Sequence, residues 1–552
     1  MHYTLAWTNP NDHLFDVTLR FTAPEDDPLL WLPAWRPGRY LIQNYAANVR
    51  EWSANLRKVD KSSWRASARV GEDVTVSYRY YAGGVLDAGS SFLGDEEAYF
   101  NGSNLFLCVD ALRREPARLT VAAPGDWRIE TQLPRDDGGV FHARDYDHLI
   151  DSPTIASATL TRHSFVESSA RIHLIVRGEG DFEQYLEPLR GIVRAQAALF
   201  GGLPFNEYKF LIHAGARWHG VEHENSSSIL VKRSEIDTDD GYDHFLSLCS
   251  HELFHVWNVK RIVPAAFVPY DYLRETPTRL LWAMEGITSY YGDLALVRAG
   301  VWDEGRWLEH LQHEIETLEN AAGRHHLSLA QASFDGWLQE QMHDKANAWI
   351  SFYNKGEIVA ALLDLAIRAE TERSLDDVMR LLWRSYGQTG IGIEEGALEP
   401  AVAAIAGEEL ARDFFARYVD GTDPLPYEEL LGRAAVAFDS ASGERLALGA
   451  KLEMKDGQLM IASVTPEGSA MEAGLLPGDE LIAIGGRRTA TPDDAERVFA
   501  SLREGEAVSA VFARAALVET RPLVPRRDPH VSVSLRIGGE SALRDAWLRR
   551  EE

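Results

Sequence analysis

The sequence predicts a multidomain chain. It has an N-terminal all-β sandwich-like domain over residues 1–168, an α+β, mostly helical domain over 169–440, a small β-rich module over 441–535 and a C-terminal tail over 536–552. Three observations predict this. As far as about residue 168 the text runs in short strand-like stretches, "LFDVTLRFTA", "VTVSYRYYAG", "RLTVAA" and "TIASATLTR", divided by Pro, Gly, Asn and Asp. Near residue 180 the apolar period lengthens to a helical one in "FEQYLEPLRGIVRAQAALFG". Past residue 445 short strands and glycine turns resume, as in "GSAMEAGLLPGDELIAIGG".

Within the middle part, "EYKFLIHAG" reads as one further strand, and helices dominate from about 243 to 435. The clearest are "HFLSLCSHELFHVWNVKRI", "RLLWAMEGITSYYGDLALVRAG" and "KGEIVAALLDLAIRAETE". Small β elements feeding a large helical body suggest an α+β arrangement. The stretch "GDEEAYFNG", residues 94–102, reads as an acidic aromatic loop that reaches a cleft or as a solvated turn.

Composition narrows the function classes. A chain of 552 residues with 45% apolar residues and 15 Trp has material for several packed cores. A formal charge of -28 excludes a phosphate-binding face, which needs a basic surface, so no nucleic-acid partner is expected. The start "MHYTLAWTNPNDHLFDV" lacks a basic, then apolar, leader, and no apolar run is long enough to cross a bilayer. A soluble, cytoplasmic protein without a membrane partner is the expectation. Cys108 and Cys249 have no metal or redox spacing and read as buried free thiols.

The chemistry concentrates in "HELFHVWN", residues 251–258. On a helix, His251 and His255 lie one turn apart on the same face and can aim at one ion. Glu252 is rotated by about 100° from His251, beside the ion rather than on it, where a general base belongs. A chain with 18 His contains an HExxH string by chance roughly once in twenty, so context must decide. The flanks "FLSLCS" and "LFHVW" are apolar, and two imidazoles and an acid in a buried helix need partners.

Catalytic zinc takes three protein ligands and leaves one place to water. The third is expected at Glu285, the lone acid at the centre of "LLWAMEGITSYYGDL", amid Trp282, Met284 and Ile287. Ser289 and Asp293 on the same helix are both placed to orient a ligand histidine. In "ISFYNKGEIVAALL", Tyr353 stands just before a helix, where its hydroxyl either projects into a cleft or is half-buried packing. A competing string, "HGVEH" at 219–223, spells the inverted zinc signature. Gly220 and its strand-like flanks argue against the helix that signature requires, so it is not expected to bind metal. Its Glu222 would suit a substrate's positive α-amine.

Together these stretches resemble the M61 peptidases, glycyl aminopeptidases of the thermolysin-like gluzincin group that carry a C-terminal PDZ domain, and the resemblance runs over nearly the whole chain. "HELFHVWNVKRI" resembles the family's zinc helix, "WAMEGITSYYGD" its glutamate-ligand helix and "FYNKG" its Tyr-x-Lys-Gly element. "LPAWRPGRYLIQNYAANV" is similar to the family's β-domain signature. The resemblance implies one Zn2+ per chain held by His251, His255 and Glu285, with Glu252 as base and Tyr353 as oxyanion donor. "HGVEHENSS" resembles a Gly-Gly-x-Glu-His segment, which implies that Gly220, Glu222 and His223 bind substrate, with Glu222 on the α-amine. His219 replaces the first glycine and would narrow the space there. The last module looks like a bacterial PDZ core, whose carboxylate nest would fall near Leu446 to Ala450.

The expected activity is removal of small N-terminal residues, Gly or Ala, from peptides with a free N-terminus, with a peptide C-terminus as a further partner at the PDZ module. Two alternatives stand beside it: a PDZ-assisted zinc endopeptidase and a non-catalytic peptide-binding scaffold.

Overall fold

Alternation of apolar and polar residues builds the first part of the chain. Leu14–Thr22 and Asp73–Tyr81 each turn every second side chain inward, and they pair antiparallel in a six-stranded sheet. His2–Ala6 lies in the same sheet, antiparallel to Leu14–Thr22 and parallel to Ala117–Ala122. Two four-stranded sheets complete this region. One core holds the three together, with Trp31, Trp64, Tyr78, Phe100, Phe106 and Tyr146 buried in it. The computed structural model describes residues 1–339 and 348–549.

Only the head of the "GDEEAYFNG" stretch is a solvated turn, Asp95 and Glu96 being exposed in the bend between Phe92–Leu93 and Glu97–Phe100. Glu97–Phe100 is a fully buried strand paired with Thr154–Ser157. Glu97 pairs with Arg177 Nε at 3.1 Å and lies 3.3 Å from His213 Nδ1. Local acidity misleads there because both partners are far along the chain.

A five-stranded sheet follows, in the order Thr161–Glu167, Ala170–Arg177, Glu207–Gly215, Ser226–Lys232, His219–Glu222. The middle three run parallel and His219–Glu222 closes one edge antiparallel. Its first strand lies before the expected boundary at 168 yet pairs along its whole length with Ala170–Arg177. Alternation marks a strand without saying which sheet it joins. The helices Leu186–Phe200 and Asp239–Phe254 pack on this sheet, Ile287–Arg298 packs on both of these helices, and all three belong to the compact unit formed by Met1–Asp303 and Leu375–Ile405.

The second unit comprises Glu304–Ser374 and Ala406–Trp547. Its helical part includes Glu304–Glu319, Phe352–Glu370 and Tyr427–Arg433. The PDZ module is a sheet ordered Ala450–Lys455, Gln458–Val464, Glu480–Ile484, Val508–Arg514, Leu517–Leu523, with Pro492–Ala500 as its longer helix. Leu459, Ile461, Leu481, Ile484, Phe499 and Phe512 fill its core.

The module is bracketed by Val436–Ser442 and Val531–Ile537, which pair antiparallel along their full length. Three side chains one helical turn apart satisfy the open edge of the second of these strands. Asn320 Oδ1, Glu316 Oε2 and Gln312 Oε1 accept from the backbone N–H of Val531, Val533 and Leu535 at 2.8, 3.0 and 3.0 Å.

The expected tail is ordered structure as far as residue 549; 550–552 lie outside the described residues. Arg544 donates to the carbonyls of Ala434 and Gly539 and pairs with Glu304, and Trp547 is fully buried edge-on against Trp307. The helix there, Ala542–Leu548, is seven residues long, too short for its period to stand out in the sequence.

Candidate active site

Thr238 starts the helix Asp239–Phe254, its Oγ1 accepting from Gly241 N at 3.0 Å, and Asp239 and Asp240 favour the positive end of the helix dipole. The helix stops at Phe254, earlier than the sequence pattern suggests. His255 nevertheless keeps a helical backbone, with φ -57 and ψ -20, so it stays one turn above His251. The two Nε2 atoms are 3.0 Å apart.

Glu285 sits in a π-helical turn, Trp282–Gly286, ahead of Ile287–Arg298. The extra residue in such a turn rotates the side chains that follow and leaves carbonyls short of partners. Asn258 supplies a donor to them: its Nδ2 bonds Ala283 O at 2.8 Å, Met284 O at 3.2 Å and Thr288 Oγ1 at 3.0 Å. Its backbone carbonyl accepts from His255 Nδ1 at 2.9 Å, which leaves Nε2 as the free lone pair. One residue therefore orients a histidine and the turn that carries Glu285. Asn258→Ala is expected to weaken metal binding about 10–100-fold, as removal of a ligand's support does, measured by competition with a chromophoric chelator.

Glu285 Oε2 lies 3.3 Å from His255 Nε2 and 3.7 Å from His251 Nε2. A tetrahedral ion with bonds near 2.05 Å has donor–donor edges of about 3.3 Å, and the three edges seen, 3.0, 3.3 and 3.7 Å, bracket that value. These residues fit zinc by donor type and by spacing. Burial opposes the charge on Glu285, but His255 holds its carboxyl well below the usual carboxylate range. His251 is lowered by burial, whereas Glu285 outweighs burial at His255 and pushes it up.

Of the two residues placed to orient a ligand histidine, Ser289 Oγ stands 3.4 Å from His251 Nδ1, and Asp293 accepts from Ser247 at 2.6 Å. For His255 the acceptor is the Asn258 carbonyl, which no side-chain reading of the sequence could supply.

Glu252 is 5% exposed and its Oε2 has no hydrogen-bond partner. Burial, reinforced by Glu222 and Glu285 and opposed by His255, pushes its carboxyl up to about 8. A cation among these groups would act against that shift. Gly220, on the edge strand, lies directly against it: a Cβ there would stand 2.0 Å from Glu252 Oε1.

Glu222, on the same strand, is buried with Oε1 unpartnered, and a Cβ at Gly38 would stand 2.3 Å from its Oε2. Ligand atoms of Glu222, Glu252 and His255 lie within 4.8 Å of one another. His223 Nδ1 points away, to Asp151 Oδ1 at 3.1 Å, where Lys260 also bonds at 2.7 Å. His219 is held by Asp87 at 2.5 Å. The 219–223 string is thus a strand whose histidines face two separate acids. Tyr353 stands in the first turn of Phe352–Glu370 rather than before it, half-buried and stacked on Phe352.

The sequence reading missed one residue of this cluster by name. Tyr40, 245 positions earlier in the chain, donates to Glu285 Oε1 at 2.7 Å. Its signal was the Arg-Pro-Gly-Arg-Tyr turn inside the β-domain stretch.

Three family models match the chain: the peptidase M61 N-terminal domain over 2–158, the M61 glycyl aminopeptidase over 244–359 and a PDZ domain over 460–514. A crystal structure of an aminopeptidase N family protein from Idiomarina loihiensis is 30% identical, covers 99% of both chains and superposes with a TM-score of 0.91. The chain belongs to the M61 peptidase family. It is a metallopeptidase with a β-rich N-terminal domain, a helical central domain and a PDZ domain. An M1 zinc metallopeptidase from Deinococcus radiodurans, in a mutant form bound to Tyr-Ser-Ala, is 15% identical over 77% of this M61 chain and 94% of its own, with a TM-score of 0.47. A search of curated proteins returns no match. No helix among the described residues is long and apolar enough to cross a membrane.

Proposed function

We propose that this M61 peptidase is a zinc aminopeptidase that takes one Zn2+ per chain and removes small N-terminal residues, Gly or Ala, from peptides. The observation that carries this reading is the second buried acid beside the base. A substrate's α-nitrogen lies only about 2.5 Å from its own carbonyl carbon, so an acid that binds the amine must stand a few ångströms from the ion. Glu222 stands there with an unpartnered oxygen.

In this reading His251, His255 and Glu285 hold the ion, which supplies Lewis acidity to the scissile carbonyl and lowers the pKa of water toward about 7. Glu252 takes the proton of the attacking water and passes it to the leaving nitrogen. Glu222 fixes the register by accepting from the ammonium. Gly220 and Gly38 leave room for the carboxylates of Glu252 and Glu222 beside them, and the preference for a small first residue follows the family resemblance. Tyr353 keeps the role of oxyanion donor that the family resemblance gives it.

The PDZ module is proposed to take a peptide C-terminus. Its strand Ala450–Lys455 lies at one edge of the sheet, and Gly449, at φ +69, turns the chain just before it.

Hydrolysis of a panel of aminoacyl anilides, with and without chelator, tests the activity. Glycyl and alanyl anilides are expected to be cut fastest, and chelator to abolish cutting that added zinc restores. N-acetylated substrates test Glu222. The wild type is expected to reject them, and Glu222→Gln to lose about 10–100-fold in kcat/KM on free amines while treating blocked and free peptides more equally, a charge-assisted bond to a buried group being lost. Equal cutting of both by the wild type would favour an endopeptidase, and a chain that binds no zinc would favour a scaffold.

A further inference from the structure

Glu285 offers its two oxygens to different partners. Oε2 faces the histidines, and Oε1 accepts the Tyr40 hydroxyl at 2.7 Å, with both residues 2% exposed. Tyr40 is fixed independently of that contact. Its ring stacks on Phe267 at 6.2 Å and 15°, and the turn that carries it is closed by Arg39 N bonding Arg36 O at 3.2 Å. Ala34 N, bonded to Tyr272 O at 2.7 Å, and Trp35 Nε1, bonded to Asp271 O at 2.7 Å, tie the same segment to the chain beyond the zinc helix.

A carboxylate can grip a cation with one oxygen or two. A second oxygen would take up the place that water and the scissile carbonyl need. An O–H···O⁻ bond at 2.7 Å in a buried setting is among the stronger neutral-to-ion hydrogen bonds, and it commits Oε1 elsewhere.

We propose that Tyr40, supplied by the N-terminal β domain, is a positioning residue that holds Glu285 as a one-oxygen ligand and so keeps the remaining coordination place open. The proposal rests on the zinc reading given above. It makes the β domain a contributor to the metal centre.

Tyr40→Phe keeps the stacked ring and removes only the hydroxyl. In the full chain, its zinc dissociation constant, measured by chelator competition, is expected to rise about 10–100-fold, the usual cost of losing a ligand's support. The visible spectrum of the Co2+-substituted protein is expected to weaken, as it does when a tetrahedral site gains a donor. Tyr45→Phe, whose hydroxyl instead bonds Gln43 at 2.5 Å, should change neither. Phe267→Leu, which removes the ring that Tyr40 leans on, is the second variant and should weaken zinc binding in the same direction should Tyr40→Phe not fold. Zinc held as tightly as in the wild type by whichever variants fold, with an unaltered cobalt spectrum, overturns the proposal. A wild-type chain that binds no zinc overturns the metal reading and this proposal with it.

Discussion

Glu252→Gln is expected to keep one zinc per chain and to lose about 10²–10⁴-fold in kcat on a glycyl or alanyl anilide, with KM little changed. The amide has the shape of the acid but cannot take a proton. The residue is buried, packs against Gly220 through Oε1 and leaves Oε2 without a hydrogen-bond partner, so the amide breaks no hydrogen bond at that oxygen. His255→Ala makes the contrast: its Nε2 is one of three converging donors, so metal and turnover should vanish together. Metal content by emission spectroscopy and initial rates on the same preparations separate the two. Undiminished turnover in Glu252→Gln would remove the residue from the mechanism.

Gly220→Ala is expected to cost at least about 10²-fold in kcat/KM without loss of zinc, because displacing a catalytic group by about an ångström has that scale of effect. The added methyl would stand 2.0 Å from Glu252 Oε1, 2.5 Å from Cδ and 2.7 Å from Cγ. A flexible surface glutamate would move aside at little cost, but this one is packed in the last turn of a buried helix. The strand carrying Gly220 is itself fixed by pairing with Ser226–Lys232, so the acid must shift off the reacting centre. Gly84→Ala, with open space where its methyl would go, is the matched control. Rates equal to wild type in Gly220→Ala would mean that Glu252 is not held where the structure has it.

Much of the site was legible because helical spacing is a local code. His251 and His255 are four apart, and Glu285 is the acid at the centre of an apolar helix, so both could be found without coordinates. Strand character at 219–222 followed from Gly220 and its neighbours. What stayed hidden depends on contacts across the chain. The Arg-Pro-Gly-Arg-Tyr turn singles out Tyr40 without saying that its partner is Glu285, and the backbone carbonyl of Asn258 has no letter of its own. The π turn at Trp282–Gly286 was also invisible, since one inserted residue barely disturbs an apolar period. In the fold, the buried strand Glu97–Phe100 was masked by its acid, and the packing of Trp547 by the brevity of its helix.

The strand pair that brackets the PDZ module bears on how such a chain changes over generations. Ser442 and Val531 are direct partners, so the polypeptide enters and leaves the intervening segment at almost one point. A segment joined that way can be swapped, shortened or replaced by a simple hairpin turn while Val436–Ser442 and Val531–Ile537 stay zipped and the side-chain ladder from Gln312, Glu316 and Asn320 stays in place. The body that carries it is thus open to acquiring new recognition units by insertion, without redesign of its own core.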